Sequence, residues 1–432
     1  MESSERARGV GSLALPAAGV VLALAVGAAL RLCLPLDIEW KGDERWTWVH
    51  ALSMIAGGAW PPIGMQSSAG APNPGLSLWV FAGLIELFHA KTPPELARAV
   101  QTLNVAALLA FAAFALVAVP RPRRAVWFWA LALWAVNPVE VVFERKIWPP
   151  SILPLGIVAM LWAWRYRRFW PAAFAWGALG ALMAQIHLGV IFLALAFAAW
   201  TLARDASKFP WEGWLAGSLA GAALALPWLF YMAGHGAGTH MRLMWPSPTF
   251  FMRWATQPFG FGIDYSLHKD FGDFLAGPRL GGTATHIMFA LEIALGLLLA
   301  LALARAALAA RRGGWPGWRA VLLGDSQETV LIAASIWGYG GLLTLLSIVG
   351  SSPYRHYMIV IAPFMALWAA SLVQLGDRGA KRRWAPAILV ALCLCQAGIA
   401  AGFLAYVDAK GVIAGDFGAS WKAQQAAVGF SR

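Results

Sequence analysis

The sequence predicts an all-α, polytopic integral membrane protein of about 11 transmembrane helices, with outer-face juxtamembrane helices and loops. Three observations carry that prediction. Hydrophobic residues make up 60% of the 432 residues and charged ones only 12%, against about 25% charged in a typical soluble domain. Mean hydropathy is +0.63. Apolar runs of about 20 residues recur along the whole length, each long enough to cross a hydrocarbon core of ~30 Å. Backbone groups in lipid must be satisfied within their own segment, which selects helices. The short alternating strands of a transmembrane barrel do not occur.

The net charge of +12 does not point to nucleic acid, because the basic residues sit in short clusters between apolar runs, the positive-inside pattern. Those clusters are Arg6 and Arg8; Arg121, Arg123 and Arg124; Arg165, Arg167 and Arg168; Arg204 and Lys208; Arg305, Arg311, Arg312 and Arg319; and Arg378, Lys381, Arg382 and Arg383. Placing all six in the cytoplasm orients spans at 13–36, 98–119, 125–142, 151–164, 170–185, 188–203, 212–232, 284–304, 328–350, 357–375 and 385–407. The N-terminus is then inside and the C-terminus outside. The first apolar run is too long for a signal-peptide core and reads as a retained span. Cys33, Cys393 and Cys395 lie in apolar stretches, with neither a disulfide framework nor metal spacing.

No internal repeat or soluble domain separates, so 1–432 reads as one transmembrane domain. Its outer parts are a first loop at 37–97, a large loop at 233–283 and a tail at 408–432. Within the first loop, Trp46–Ala59 and Gly75–Ala90 read as helices lying flat in the interface. The proline-rich stretch from Pro61 to Pro74 between them is not helical throughout. The 233–283 segment, with His235, His240, Arg242, Arg253, Asp264 and His268, has little helical period and reads as a partly mobile loop. Smaller outer turns fall at Asn137–Pro150, Gln185–His187 and Ser351–Tyr357.

The ten residues Asp37-Ile38-Glu39-Trp40-Lys41-Gly42-Asp43-Glu44-Arg45-Trp46 hold four acidic side chains. Asp43-Glu44 is the candidate chemical centre, read either as a helix cap that favours the macrodipole or as a catalytic base. Asp37 and Glu39 read as the exit of the first span. Glu140, Glu144, Arg145 and Lys146 crowd one outer turn. They make either a self-neutralising turn or, since cations there run against the positive-inside trend, a seat for an anionic lipid phosphate. Arg355-His356-Tyr357 repeats the theme. His187, beside Gln185, is a structural hydrogen bonder or a catalyst. Glu292, inside the eighth span, reads as one half of a structural pair. Of 25 tryptophans, Trp40, Trp46, Trp48, Trp60 and Trp148 lie near the acidic loops. They serve as interfacial anchors or as faces for a sugar ring.

Taken in order, several short motifs resemble those of the membrane-embedded GT-C glycosyltransferase superfamily. They are Gly42-Asp43-Glu44-Arg45-Trp46, Pro74-Gly75-Leu76-Ser77-Leu78-Trp79, Glu95-Leu96-Ala97-Arg98, Asn137-Pro138 with Glu144-Arg145, and Arg355-His356-Tyr357 with Pro363. The branch they resemble is that of protein O-mannosyltransferases and aminoarabinose transferases, and Gly415-Asp416-Phe417-Gly418 is faintly similar to its tails. The resemblance implies that Asp43, with Glu44 beside it, deprotonates an acceptor hydroxyl or amine. It implies a polyprenyl-phosphate-linked sugar donor entering from the bilayer, with Arg145 at its phosphate and Lys146, Arg355 and His356 assisting. Glu144, Glu140, His187 and Tyr357 would support the acceptor side. Relatives carry an acidic residue shortly after that arginine, where this chain has Trp148-Pro149-Pro150-Ser151. No metal ligand is therefore assigned, and a divalent metal stays open. The setting implied is a bacterial inner membrane with the active face periplasmic.

The rival classes are a lipid or polysaccharide transporter or flippase, an O-antigen polymerase or ligase resting on arginines of the 233–283 loop, and a non-catalytic scaffold. The transferase reading demands that Asp43, Arg145 and Arg355 converge on one outer cavity.

Overall fold

The structure is a computed structural model that describes residues 18–67, 71–205, 209–235, 243–323, 328–348, 354–375 and 384–429. Outside these lie the start of the first predicted span, the clusters Arg6/Arg8 and Arg378/Lys381/Arg382/Arg383, Lys208, His240, Arg242, and residues 351–353 of the turn before Tyr354. The described chain is an all-helical bundle with two small two-stranded hairpins. Among the described residues, each apolar stretch read as a span is mostly helical. Six helices have the length and composition to cross a membrane: Pro93–Val117, Trp211–His235, Ile287–Leu323, Thr329–Ser347, Arg355–Leu375 and Trp384–Lys410. Shorter helices, among them Arg124–Val136, Leu153–Arg165, Trp170–Ile186 and Val190–Asp205, lie between them, each of 17 residues or fewer, so the structure establishes six such helices and not the expected number of 11.

Local chemistry explains the boundaries. Helix Pro93–Val117 opens with prolines in its first turn and a capping box between Thr92 and Glu95. The stretch read as one span at 125–142 is broken. Asn137 is extended and its side chain accepts from the backbone N–H groups of Val139 and Glu140, so that Pro138 starts a new helix, Pro138–Phe143. Helix Ile287–Leu323 runs well past the span expected at 284–304 and changes direction at Gly314, whose φ of 59° only glycine adopts readily.

The main core forms around Ala362–Leu375, buried on nearly every side, against Arg124–Val136. A second, smaller core joins Ile38, Trp40, Trp48, Leu78, Phe81, Leu96 and Ile147. It fixes helices Gly42–Ile55 and Leu76–Phe88 to one end of the bundle. Between those two helices the proline-rich stretch forms an antiparallel hairpin, Ile63–Gln66 with Pro72–Pro74. The described part of the segment expected as a mobile loop is ordered instead. It holds helices Thr249–Thr256, Asp264–Leu267 and Phe271–Ala276 and a hairpin at 279–284. Buried aromatic anchors, Phe250, Trp254, Phe259 and Phe274, supply the order that no helical period announced.

Candidate active site

Helix Gly42–Ile55 starts as the chain leaves the first helix through an extended Lys41. Glu44 folds back and accepts the Lys41 backbone N–H at 3.3 Å, which satisfies one free donor of the first turn and buries the carboxylate. Asp43 lies one residue earlier, about 100° round the helix. Its side chain is exposed and lines a cavity, and among the described residues its carboxylate makes no hydrogen bond or ion pair.

The cavity holds about 280 Å³. Its walls come from segments far apart in sequence: the 39–44 entry to the helix, the hairpin tip at Met65–Ser67 with Asn73, the turn Lys146–Pro150, His187, Tyr265, the Tyr354/His356 corner, and Asp416 of the tail. All of them lie in stretches that the basic clusters assign to a single side of the membrane.

A charge network crosses the floor. Glu39, fully buried, bridges two lysines: Lys41 at 2.6 Å and Lys146 in closer contact. Asp416 approaches the same two from the other side, 3.3 Å from Lys41 and 3.8 Å from Lys146. Lys146 also sits over the rings of Phe143 and Trp148. Burial alone would pull the Lys41 ammonium down, but Glu39 and Asp416 more than offset it and hold the group above its ordinary value. Burial, then the Glu39 charge, pushes Glu44 up to about 8, so it carries its proton at neutral pH. Burial pushes His187 down to about 4, which leaves it neutral. An aromatic wall completes the site. His356 meets Trp148 edge to face at 4.8 Å and stacks with Tyr354 at 5.8 Å, and His187 lies 5.4 Å from His356.

Of the residues singled out from sequence, Asp43, Glu44, Lys146, His187 and His356 meet at this cavity. Arg145 does not line it. Its guanidinium donates to the carbonyls of Leu30, Arg31, Cys33 and Leu34 at 2.8–3.0 Å. It therefore closes the C-terminal end of the first helix, a task that occupies the group a phosphate would need. Arg355 also stays outside the lining, packing over Gly262 and behind the Tyr265 ring at 5.5 Å. Glu144 is held at 2.6 Å by Arg31 and at 2.9 Å by the Trp134 indole N–H. Glu140 accepts from Gln257 at 2.7 Å, and Tyr357 is buried beside His187. The expected convergence of Asp43, Arg145 and Arg355 thus fails, and Lys146 and His356, each one residue further along, take the two places. Among the described residues Glu292 forms no ion pair, contrary to expectation.

Sequence reasoning missed Glu39, Lys41, Tyr265 and Asp416. Glu39, expected only at the exit of the first span, is the buried partner of both lysines. Arg31 was overlooked as well, although an arginine inside an apolar run is itself a signal. The cavity does not fit a divalent metal. Among the described residues no three His, Cys, Asp or Glu groups are placed to hold an ion, and the lysine ammonium groups stand between the carboxylates where a cation would sit.

No family model and no curated protein matches the chain. Solved structures do. It is similar to ArnT of Cupriavidus metallidurans bound to undecaprenyl phosphate, with 16% identity and a TM-score of 0.46 over 84% of this chain and 61% of that one. It is also similar to the apo oligosaccharyltransferase of Archaeoglobus fulgidus, with 13% identity and a TM-score of 0.44 over 89% of this chain and 56% of that one. The chain spans about three fifths of their length, and at these scores the likeness concerns the fold alone.

Proposed function

We propose that the chain is a glycosyltransferase that moves a sugar from a polyprenyl-phosphate donor to an acceptor at the outer face of a bacterial inner membrane. The observation that carries this reading is the juxtaposition, in one cavity, of an exposed carboxylate, unpaired among the described residues, with two lysines, Lys146 buried and Lys41 half-buried. The motif order read from sequence points the same way. The lysines Lys41 and Lys146, in place of the arginines on which the sequence rested the reading, supply the phosphate's counter-charge.

In the proposed reaction Asp43 takes the proton of the acceptor hydroxyl or amine as that group attacks the anomeric carbon. The bond from that carbon to the phosphate oxygen breaks, and the electron pair leaves on the lipid phosphate. Lys41 and Lys146 stabilise the charge that builds there. Trp148, Tyr354 and His356 offer apolar faces to the sugar ring. Glu44, neutral at pH 7, does not compete as a base.

Purified protein in lipid, given a panel of polyprenyl-phosphate sugars and read by mass spectrometry of the products, tests the proposal. Asp43→Asn is expected to lower transfer by about 10²-fold or more while leaving donor binding close to wild type. Full transfer by Asp43→Asn would remove Asp43 from the mechanism.

A further inference from the structure

The floor of the cavity contains two counter-ions for one lysine pair, and they are not equivalent. Glu39 has no exposed side-chain surface and holds both lysines at the closest distances. Moving it away would leave a buried carboxylate unpaired, which is strongly unfavourable. Asp416 pairs more loosely, at 3.3 and 3.8 Å, and 31% of its side chain is exposed. Its carboxylate is also hydrogen-bonded to Tyr265, so releasing it to water gives up that bond and two longer ion pairs, less than releasing Glu39 would.

The backbone that carries Asp416 is fixed. The N–H groups of Asp416 and Phe417 donate to the carbonyls of Tyr265 and Ser266. Gly415 lies so close beneath that a β-carbon there would stand 2.3 Å from the Ser266 carbonyl oxygen. Phe417 is buried against Phe403. The strand-like contacts of Trp40 with Ala419 and of Trp421 with Ile38 tie the tail to the first loop. Movement at this site is therefore a side-chain rotation on a rigid turn.

We propose that Asp416 is an exchangeable counter-ion: in the empty site its carboxylate stands in for the phosphate, and an arriving phosphate monoester or diester takes its place on Lys41 and Lys146. This rests on the lipid-phosphate reading above and adds to it. With Asp416 and Glu39 both in place, the two lysine charges are balanced. Once Asp416 rotates out, one positive charge is uncovered for the ligand, and once the lipid phosphate is the product, the return of Asp416 helps to expel it. Asp416 is thus a specificity-determining residue, supplied by the tail, that weakens binding of phosphate in exchange for release.

The experiment measures undecaprenyl phosphate binding to wild type and to Asp416→Asn in nanodiscs, by tryptophan fluorescence and by native mass spectrometry. Steady-state transfer is measured on the same samples. Asp416→Asn is expected to bind about fivefold tighter, with KM and kcat lowered together because product leaves more slowly. Asp273→Asn, which touches only the exposed pair with Arg279 and the end of the Trp384–Lys410 helix, serves as the control and is expected to bind like wild type. Equal or weaker binding by Asp416→Asn, with wild type binding normally, would overturn this inference alone and make Asp416 a structural support for the lysines. Absence of binding by wild type would overturn both this inference and the lipid-phosphate reading.

Discussion

Asp43 and Glu44 are one peptide apart, yet the turn of the helix sends one carboxylate into the cavity and the other into the protein wall. The exposed one is open to an incoming acceptor, while the buried one carries its proton at neutral pH. Glu44 carries a consequence of its own. Its value of about 8 lies above the ordinary 4.5, so the fold favours its neutral form. Its contribution to stability is whole below pH about 4.5 and is lost as the pH climbs to about 8, at a rate on the order of 1 kcal/mol per pH unit, with no further loss above that. Glu44→Gln keeps the acceptor for the Lys41 N–H and has no charge to desolvate. Thermal unfolding of both proteins in detergent between pH 5 and 9 is expected to show wild type falling behind the variant up to pH 8, then running parallel. Parallel curves throughout would mean that Glu44 is ionised in the fold. At this scale Asp43 was legible from its place in a motif. Arg145 was not, because a sequence shows a cation near a membrane edge but not the four carbonyls at and just past the end of the first helix that claim it.

Spans were the most legible elements, since length and hydropathy decide them whatever they pack against. What they pack against was less so. Helix Trp211–Ala222 presents Gly213, Gly217 and Gly221, spaced four apart, to Trp170–Ile186. A β-carbon on Gly217 would lie 1.9 Å from the Phe174 carbonyl oxygen and one on Gly221 2.6 Å from that of Ala178. The reverse face contributes Gly177, where a β-carbon would stand 2.2 Å from the Trp214 carbonyl oxygen. Small residues at this spacing let two backbones touch, and packing of this kind replaces the hydrophobic drive that lipid removes. The glycines stand in the sequence, but their spacing was not read as a contact. Gly217→Val is expected to separate the helices and cost about 2 kcal/mol or more, read as a lower unfolding temperature in detergent. Gly19→Val, where no atom lies within 4 Å of the added β-carbon, is expected to leave it unchanged. The 243–286 stretch resisted reading for another reason: its order comes from single aromatic anchors in separate pockets, which leave no period.

The whole molecule binds these scales together through sidedness. The basic clusters sorted the connections into two sets, and the cavity draws its walls from one set only, although its contributors range from Glu39 to Asp416. Had a single span been miscounted between them, at least one contributor would have been assigned to the opposite end. The agreement therefore supports the parity of the spans more firmly than their number, since pairs of crossings leave parity untouched. The 408–429 stretch lies on the cavity side, where it contacts Trp40 and Lys41. Orientation in the cell follows as a prediction. In a background with Cys33, Cys393 and Cys395 changed to Ala, a cysteine at Lys91, in the exposed turn before helix Pro93–Val117, is expected to react in intact cells with a maleimide that cannot cross the membrane. A cysteine at Arg204, exposed at the end of Val190–Asp205, is expected to react only after the cells are opened. The reverse pattern would place the cavity in the cytoplasm, where a donor on the outer leaflet could not reach Lys146. Labelling of both sites in intact cells would break the parity of the spans between residues 93 and 204.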